Sequence, residues 1–397
     1  MVNKNVVEEI KNQKKILWLA SWYPGEYEHT NGDFVQRHAR ALSLYTKVDV
    51  IHVAQAGIDV PTKKNTTIDK EGSLTEYNYS FHHNPLSISF LNKVFYNLRY
   101  LSFYKKILKQ YIADKGMPDI VHVHAPMKAG ILALWLKKKY GIPFVVTEHS
   151  SMYDPAAKDN FFYRSSYFKN NTTKVFKQAE SVTCVSDAIG QMIKNIFHLS
   201  TVKVIHNVVQ TDLFYLDENR PAEVTKPFVW LHVSSMYPLK NVEGIIQAFA
   251  RVEDSNKSWQ LRLVGPPNAS VLKLIKDVGL EHKILVVGEL PYDSVAQEMK
   301  AANAFVMFSK HENFPCVIAE AHCCGIPIIA SDVGGISEAV NVENGILVPS
   351  ENIEVLAHSI TVLMKNYAYY NAKDIAEKAK LSYSEETIGK LLMSLYQ

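Results

Sequence analysis

Two carboxylates, Glu312 and Glu320, bracket the stretch NFPCVIA. Pro315 suits the first turn of a helix, because its ring fixes φ and its missing N–H would have no partner there. The spacing therefore predicts a helix beginning at Pro315, with Glu312 in the loop before it and Glu320 inside it. The start of a helix directs backbone N–H groups and the positive end of its dipole at the preceding loop, here Glu312 and Asn313. That is an anion site, most often used for phosphate. Carboxylates beside it do not suit phosphate alone. They suit a ligand that also carries hydroxyls, since carboxylates accept hydrogen bonds from sugars. The chemistry this points to is recognition of a sugar-bearing phosphate. On spacing alone, an ordinary strand–loop–helix with a solvated Glu at each end fits equally well.

Other charged and polar residues fall beside predicted strand ends. Lys240 follows an apolar run ending near Val233 and precedes a helix starting near Asn241, where a point charge could meet a diphosphate. Most lysines in such turns are simply solvated. His149 ends the run FVVTEHS, where an imidazole can donate or accept. Glu148 beside it reads either as structural or as a contact for acceptor hydroxyls. Asn31 and Gly32 lie after the first strand, and a glycine there lets a backbone N–H approach a ligand closely; a plain tight turn reads the same way. His122 and His124 alternate with Val121 and Val123, so both face one side of a strand, as packed histidines under a loop or as ligands. Cys184, Cys316, Cys323 and Cys324 show no zinc spacing, and Cys316 reads as a packing residue.

The elements that must position these residues alternate. The predicted first half runs strand 16–20, helix 33–45, strand 48–54, a polar loop 55–76, an edge strand Tyr77–Phe81 and helix 91–112. It continues with strand 120–124, helix 127–140, strand 144–147, a less regular segment 150–178, strand 182–185, helix 187–196 and strand 203–206. A polar segment, 210–227, then breaks the pattern and is read as a linker. It restarts with strands at 228–233, 261–264, 284–287, 304–308, 327–330 and 346–348, and ends in an amphipathic helix, about 384–395. Short apolar runs alternating with helices mean parallel sheets covered on both faces. The fold class is α/β, two Rossmann-like domains whose strand ends face a shared cleft. With 397 residues the chain has the length of two domains, and 47% hydrophobic with 21% charged residues describes a globular protein. No apolar run reaches the roughly 18–20 residues that span a bilayer. The run ILWLASW after Lys14 and Lys15 reads as a buried strand rather than a signal peptide, and few cysteines fit a reducing cytoplasm.

Net charge is +3, which does not call for nucleic acid. Residues 1–220 hold 28 Lys and Arg against 20 Asp and Glu, and residues 221–397 hold 15 against 20. A basic half and an acidic half suggest different partners. The basic half is densest in the segment Leu86–Gly116, where six Lys and Arg stand against Asp114 and Phe90, Leu91, Phe95, Leu98, Leu101 and Leu108 recur near helical spacing. Such a helix either packs its apolar face on the sheet or lies on an anionic membrane surface.

The spacing of Glu312 and Glu320, followed by Gly325-Ile326-Pro327, a strand, Gly334-Gly335, Glu338 and Asn344-Gly345, resembles the E-x7-E signature of the retaining family 4 glycosyltransferases. The likeness spreads over most of the chain. It implies the GT-B fold: an acceptor-binding domain at 1–215, joined by a returning helix at 381–397, and a nucleotide-sugar-binding domain at 225–380. It further implies transfer of a sugar, with retention, from a UDP- or GDP-sugar to a hydroxyl of a glycan or lipid-linked acceptor. His149, Lys240 and Glu312 would be catalytic. Gly32, Gly265, Asn313, Phe314, Cys316, Val317 and Glu320 would bind the donor, and Asn31 and Glu148 would lie on the acceptor side. No cofactor and no metal are expected, since the Asp-x-Asp motif of the other large glycosyltransferase fold is missing. Neither is nucleic acid. The location implied is cytoplasmic, with attachment to the inner leaflet as a further expectation. Two positions depart from the pattern. Ser235 stands where a phosphate-binding Arg is expected, and Asn207 lacks the Gly and Asp that follow it in the family turn. The alternatives are a catalytically weak nucleotide-sugar-binding subunit, and an epimerase or phosphorylase of the same shape.

Overall fold

The computed structural model of the protein describes residues 14–25, 31–55, 66–81, 89–155, 157, 159–218, 227–252 and 258–397. Among these the first half runs β1 (Ile16–Ala20), α1 (Asp33–Ser43), β2 (Val48–Gln55), β3 (Thr66–Glu71), β4 (Leu74–Phe81), α2 (Ser89–Lys115), β5 (Ile120–His124), α3 (Ala129–Tyr140), β6 (Phe144–Glu148), α4 (Ser166–Gln178), β7 (Ser181–Cys184), α5 (Asp187–Phe197) and β8 (Lys203–Val204). The second runs β9 (Phe228–Val233), α6 (Val242–Phe249), β10 (Trp259–Val264), α7 (Ala269–Asp277), β11 (Ile284–Gly288), α8 (Tyr292–Ala301), β12 (Ala304–Met307), α9 (Cys316–Cys323), β13 (Ile328–Ser331), β14 (Gly345–Val348), α10 (Ile353–Lys365), α11 (Ala372–Tyr383) and α12 (Glu385–Met393). The chain divides into two compact units. One comprises Met1–Val185, Ile189–Ile205 and Glu385–Gln397; the other comprises Ser186–Ala188 and His206–Ser384.

In the first unit the described strands form one sheet in the order β3-β4-β2-β1-β5-β6-β7-β8, parallel except for the β3–β4 pair. Every residue of β1, β5 and β6 is buried. Strands covered on both faces carry unbroken apolar runs, which is why the sequence announces them. The second unit's sheet is β11-β10-β9-β12-β13-β14, all parallel. Its order reverses between β9 and β12, and open α/β sheets bind ligands outside the carboxyl ends of the strands at such a reversal.

Three expectations need correction. Residues 66–81 are a β-hairpin, not a polar loop followed by an edge strand: β3 and β4 pair antiparallel with Glu71 opposite Leu74. The edge is β3, and β4 lies inside the sheet. An outermost strand needs no apolar run, and TTIDKE has none. Residues 150–178 are more regular than expected, because they contain α4 and two short 3₁₀ turns. Helix α4, rich in Thr and Asn, buries only Thr172, Val175 and Phe176, too little for a clear periodicity. Finally, Pro315 is the residue before α9 rather than its first, with extended backbone at φ −70°, ψ 122°.

The returning helix is present. Helix α12 packs on α1 so closely that a Cβ at Gly389 would stand 2.3 Å from the Ala41 carbonyl oxygen. Beyond it Tyr396 is buried, accepting the Trp18 indole N–H at 3.2 Å and bonding His122. The Lys14 ammonium donates to the Tyr396 carbonyl. Helix α2 is half covered. The hydroxyls of Tyr100, Tyr104 and Tyr111 donate to β2, at the Val53 and Ile51 carbonyls and the Asp49 carboxylate. Val94, Phe95 and Leu98 near its start are exposed. No helix among the described residues is long and apolar enough to cross a membrane.

Candidate functional site

The two loops that leave the reversal point of the second sheet carry the charged residues singled out above. After β9 the chain passes through Ser234 to a 3₁₀ turn, Pro238–Lys240, that ends in Lys240. After β12 it reaches Glu312. The Lys240 ammonium lies 2.5 Å from Glu312 Oε1, and the carboxylate is nearly buried at 9% exposure. A backbone bond from Lys310 N–H to the Leu239 carbonyl, 2.8 Å, ties the two loops together. A cation and an anion thus stand side by side at the foot of α9, whose N-terminal end faces the same loop.

Glycines hold this arrangement. Gly334 has φ +56°, and a Cβ on it would stand 1.8 Å from the Glu312 carbonyl oxygen. Gly335 donates its N–H to the Asn313 carbonyl at 2.8 Å. The loop after β13 therefore lies directly on the backbone of Glu312 and Asn313. Gly265 is in similar contact, since its Cβ would meet the Ser234 carbonyl oxygen at 1.8 Å. The need for glycine at 265 and 334 comes from backbone against backbone.

Sequence reading missed His232. It is fully buried on β9, where one ring nitrogen meets the Val306 carbonyl and the other the Ser234 hydroxyl, both at 2.8 Å. Ser234 Oγ accepts the Met236 N–H at 3.0 Å. Burial pushes the imidazole down to about 4, helped by the nearby Lys240 charge, so His232 is neutral and shapes the turn that leads to Lys240. Tyr292 was missed as well: its hydroxyl donates to Glu320 at 2.6 Å, and Glu320 is only 2% exposed. Phe314 is buried, stacked on His206 with ring centres 4.5 Å apart, and its carbonyl accepts the Asn207 amide at 2.8 Å. Asn207 thus braces the loop, despite lacking the Gly and Asp of the family turn. Asn313, Cys316 and Val317 are half-buried around the start of α9, and Ser235 is exposed on its turn.

The second unit therefore brings together Lys240, Glu312, Asn313, Phe314, Cys316, Val317 and Glu320, with Gly265 on the neighbouring turn. Asn31, Gly32, Glu148 and His149 belong to the first unit. Gly32 precedes α1 with φ +74°, and a Cβ there would meet the Trp22 carbonyl carbon at 2.4 Å, so packing of the loop on itself already requires glycine. Glu148 is fully buried. One of its oxygens accepts the N–H groups of His149 and Ser150, both at 2.8 Å, and the other accepts the Tyr153 hydroxyl at 2.6 Å. Burial raises it to about 7 against those three bonds. Its carboxylate serves the turn that carries His149. Behind His149 lies a bank of buried histidines. His149 Nε2 is 3.0 Å from His124 Nδ1, and His122 bonds the Thr147 hydroxyl at 2.6 Å. Burial pushes His122 down to about 3 and His124 and His149 well below the usual imidazole range.

The chain matches two family profiles: "Glycosyltransferase Family 4" over residues 69–213 and "Glycosyl transferases group 1" over residues 216–382. It is 24% identical over 300 residues to the N-acetyl-alpha-D-glucosaminyl L-malate synthase of Bacillus anthracis, covering 72% of this chain and 75% of that one. It is also 24% identical, over 406 residues, to a putative teichuronic acid biosynthesis glycosyltransferase of Bacillus subtilis, covering 96% and 98%. Its fold is similar to that of HepE from Anabaena, solved in complex with UDP, with a TM-score of 0.70, 19% identity and coverage of 96% and 99%.

Proposed function

This chain belongs to family 4 of the glycosyltransferases and has the GT-B fold, and on that premise we propose that it moves a sugar from a nucleoside-diphosphate donor to a hydroxyl of a glycan or lipid-linked acceptor. We read the transfer as retaining and metal-independent. Retention rests on the E-x7-E likeness; the observation that carries the charge chemistry of a diphosphate leaving group is the Lys240–Glu312 pair at the foot of α9. Breaking the bond from the sugar's anomeric carbon to phosphate builds negative charge on the leaving diphosphate and positive charge on the sugar. Lys240 and the amides at the start of α9 stabilise the first. Glu312 accepts from hydroxyls of the transferred sugar and Glu320 from the ribose, with His149 at the reaction centre. The acceptor oxygen bonds to the anomeric carbon on the face that the phosphate leaves, and its proton passes to a departing phosphate oxygen. The UDP held by the structural relative supports a nucleotide donor, and the teichuronic acid relative supports a glycan product.

The test is release of nucleotide from UDP- and GDP-sugars by the purified protein in EDTA, with thermal shift to choose the donor. Steady turnover is the expected result, and failure of every donor to bind would end the reading. Glu320→Gln should weaken free nucleotide roughly tenfold, the size of one charge-assisted hydrogen bond. Glu312→Gln should weaken the intact donor more than the free nucleotide. Equal binding by both variants and the parent would remove these roles. A catalytically weak binding subunit is the second reading, favoured by Ser235 where the family pattern has Arg; binding without turnover would select it.

The start of α2 supports attachment to the cytoplasmic face of an anionic membrane. Val94, Phe95 and Leu98 are exposed there, followed by the exposed Arg99, Lys106 and Lys109. Each cation near such a surface contributes about 1 kcal/mol. Co-sedimentation with anionic vesicles but not neutral ones, lost in high salt and in Lys106→Glu/Lys109→Glu, is expected. Equal recovery in the supernatant with and without anionic vesicles would rule it out.

A further inference from the structure

The first unit offers a larger surface than the start of α2. From β4 to β5, β5 to β6 and β6 to β7 the chain steps the same way across a run of parallel strands. Right-handed crossovers therefore put α2, α3 and α4 on one face of the sheet, with their starts along the rim formed by the carboxyl ends of the strands. Contacts within the layer agree. The Lys105 ammonium on α2 lies 5.6 Å from the Trp135 ring centre on α3, and a Cβ on Gly130 of α3 would stand 2.8 Å from the Val175 methyl groups of α4. The three helices carry six, three and three Lys or Arg against one acid, Asp114. Lys106 and Lys109, Lys138 and Lys139, and Lys174 and Lys177 are exposed on them. Glu180, just after α4, is paired with Lys137 at 2.8 Å. At the rim, Phe162, Tyr163 and Tyr167 are 46%, 85% and 55% exposed around the start of α4. Val94, Phe95 and Leu98 are exposed near the start of α2 on the same rim. Aromatic and apolar side chains along one border of an acid-poor, basic layer suit a bilayer interface, where rings sit at headgroup depth and lysines meet anionic headgroups.

We propose that the whole α2–α3–α4 layer is the membrane-facing surface of the first unit, with Phe162, Tyr163 and Tyr167 as a second anchor beside the one at the start of α2. This rests on the reading of α2 as a contact with an anionic membrane. The two anchors stand two helix widths apart, roughly 20 Å, so a bilayer that receives Phe95 and Leu98 also meets Tyr163 and Tyr167. Two separated anchors fix the tilt of the unit, which one cannot do. Co-sedimentation of the full chain with phosphatidylcholine vesicles, with and without phosphatidylglycerol, tests it. Phe162→Ser/Tyr163→Ser/Tyr167→Ser should weaken binding to the anionic vesicles about tenfold or more. Lys174→Glu/Lys177→Glu should weaken it roughly thirtyfold or more, the loss expected of two cations at about fivefold each. Nucleotide release in solution should stay at the parent's rate in both variants, since none of these residues stands in the donor site. Binding that is lost in Lys106→Glu/Lys109→Glu but kept at parent strength in both α4 variants overturns this inference and leaves α2 as the contact. Binding that is lost in the α4 variants but kept in the α2 variant does the reverse: the second anchor stands and the reading of α2 falls. A parent that ignores anionic vesicles ends both, and if it binds heparin instead, the partner of the layer is a soluble polyanion.

Discussion

Replacing Lys240 by alanine is expected to slow donor turnover by roughly two to four powers of ten, the cost of removing a main charge stabiliser from a leaving group. The loop Ser234–Lys240 offers no second cation, since Ser235 fills the place of the expected Arg, so the loss has no local substitute. Lys240 is also the partner of Glu312, whose carboxylate is nearly covered. Its removal therefore leaves that nearly covered carboxylate with its charge uncompensated. Two consequences separate these effects. The double variant Lys240→Ala/Glu312→Gln should be less impaired than the sum of its single changes, because paired groups couple. The fold should survive, because the pair sits at the carboxyl ends of β9 and β12 and outside the core of Trp230, Phe249, Leu261 and Ile329, but the single variant, with its unpaired and nearly covered carboxylate, should melt lower than the double one. Initial-rate measurement of nucleotide release decides the matter, and a rate equal to the parent's would remove Lys240 from the leaving-group site.

Gly334→Val is expected to have an effect of similar size through the backbone alone. A Cβ at 334 would overlap the Glu312 carbonyl oxygen, which cannot swing aside as a side chain can. The left-handed backbone at this position adds about 1–3 kcal/mol for a residue other than glycine. The loop must yield, and with it go Glu312, Asn313 and the approach to α9. Donor affinity should fall at least about a hundredfold, because a displacement of about 1 Å at a site costs that much. A comparison is built into the fold. Gly279 also has positive φ, +69°, yet a Cβ there meets nothing within 4 Å. Gly279→Ala should therefore pay only the backbone cost and bind donor normally. Calorimetric titration with the donor compares the two, and parent-like affinity in Gly334→Val would show that the loop does not depend on this contact.

Much of the architecture is legible because parallel strands write themselves as apolar runs. Ile16–Ala20, Ile120–His124 and Phe228–Val233 were all read within a residue or two. The Glu312 and Glu320 positions were legible because both lie on one short strand–loop–helix unit. What was not legible depends on contacts remote in sequence. Nothing near Lys240 announces Glu312 as its partner, nor does anything near Glu320 announce Tyr292. His232 sits in a strand that reads as plain core, and only the neighbouring strand and loop reveal what its nitrogens touch. The hairpin of β3 and β4 was hidden for a different reason. An edge strand is stabilised by one neighbour and faces water, so its composition approaches that of a loop.

The placement of Tyr396 has a consequence for how the chain is made. Trp18 and His122, both fully buried, close their hydrogen bonds on a residue that leaves the ribosome almost four hundred positions after the first strand begins the sheet. Domains usually fold as they emerge during synthesis, but this one cannot be finished that way. Its sheet can assemble early, yet the indole and imidazole wait for their partner until the whole second unit has been translated. A nascent chain arrested after residue 384 would carry a second unit with all its strands and a first unit still open beside α1, where chaperones or proteases would find it.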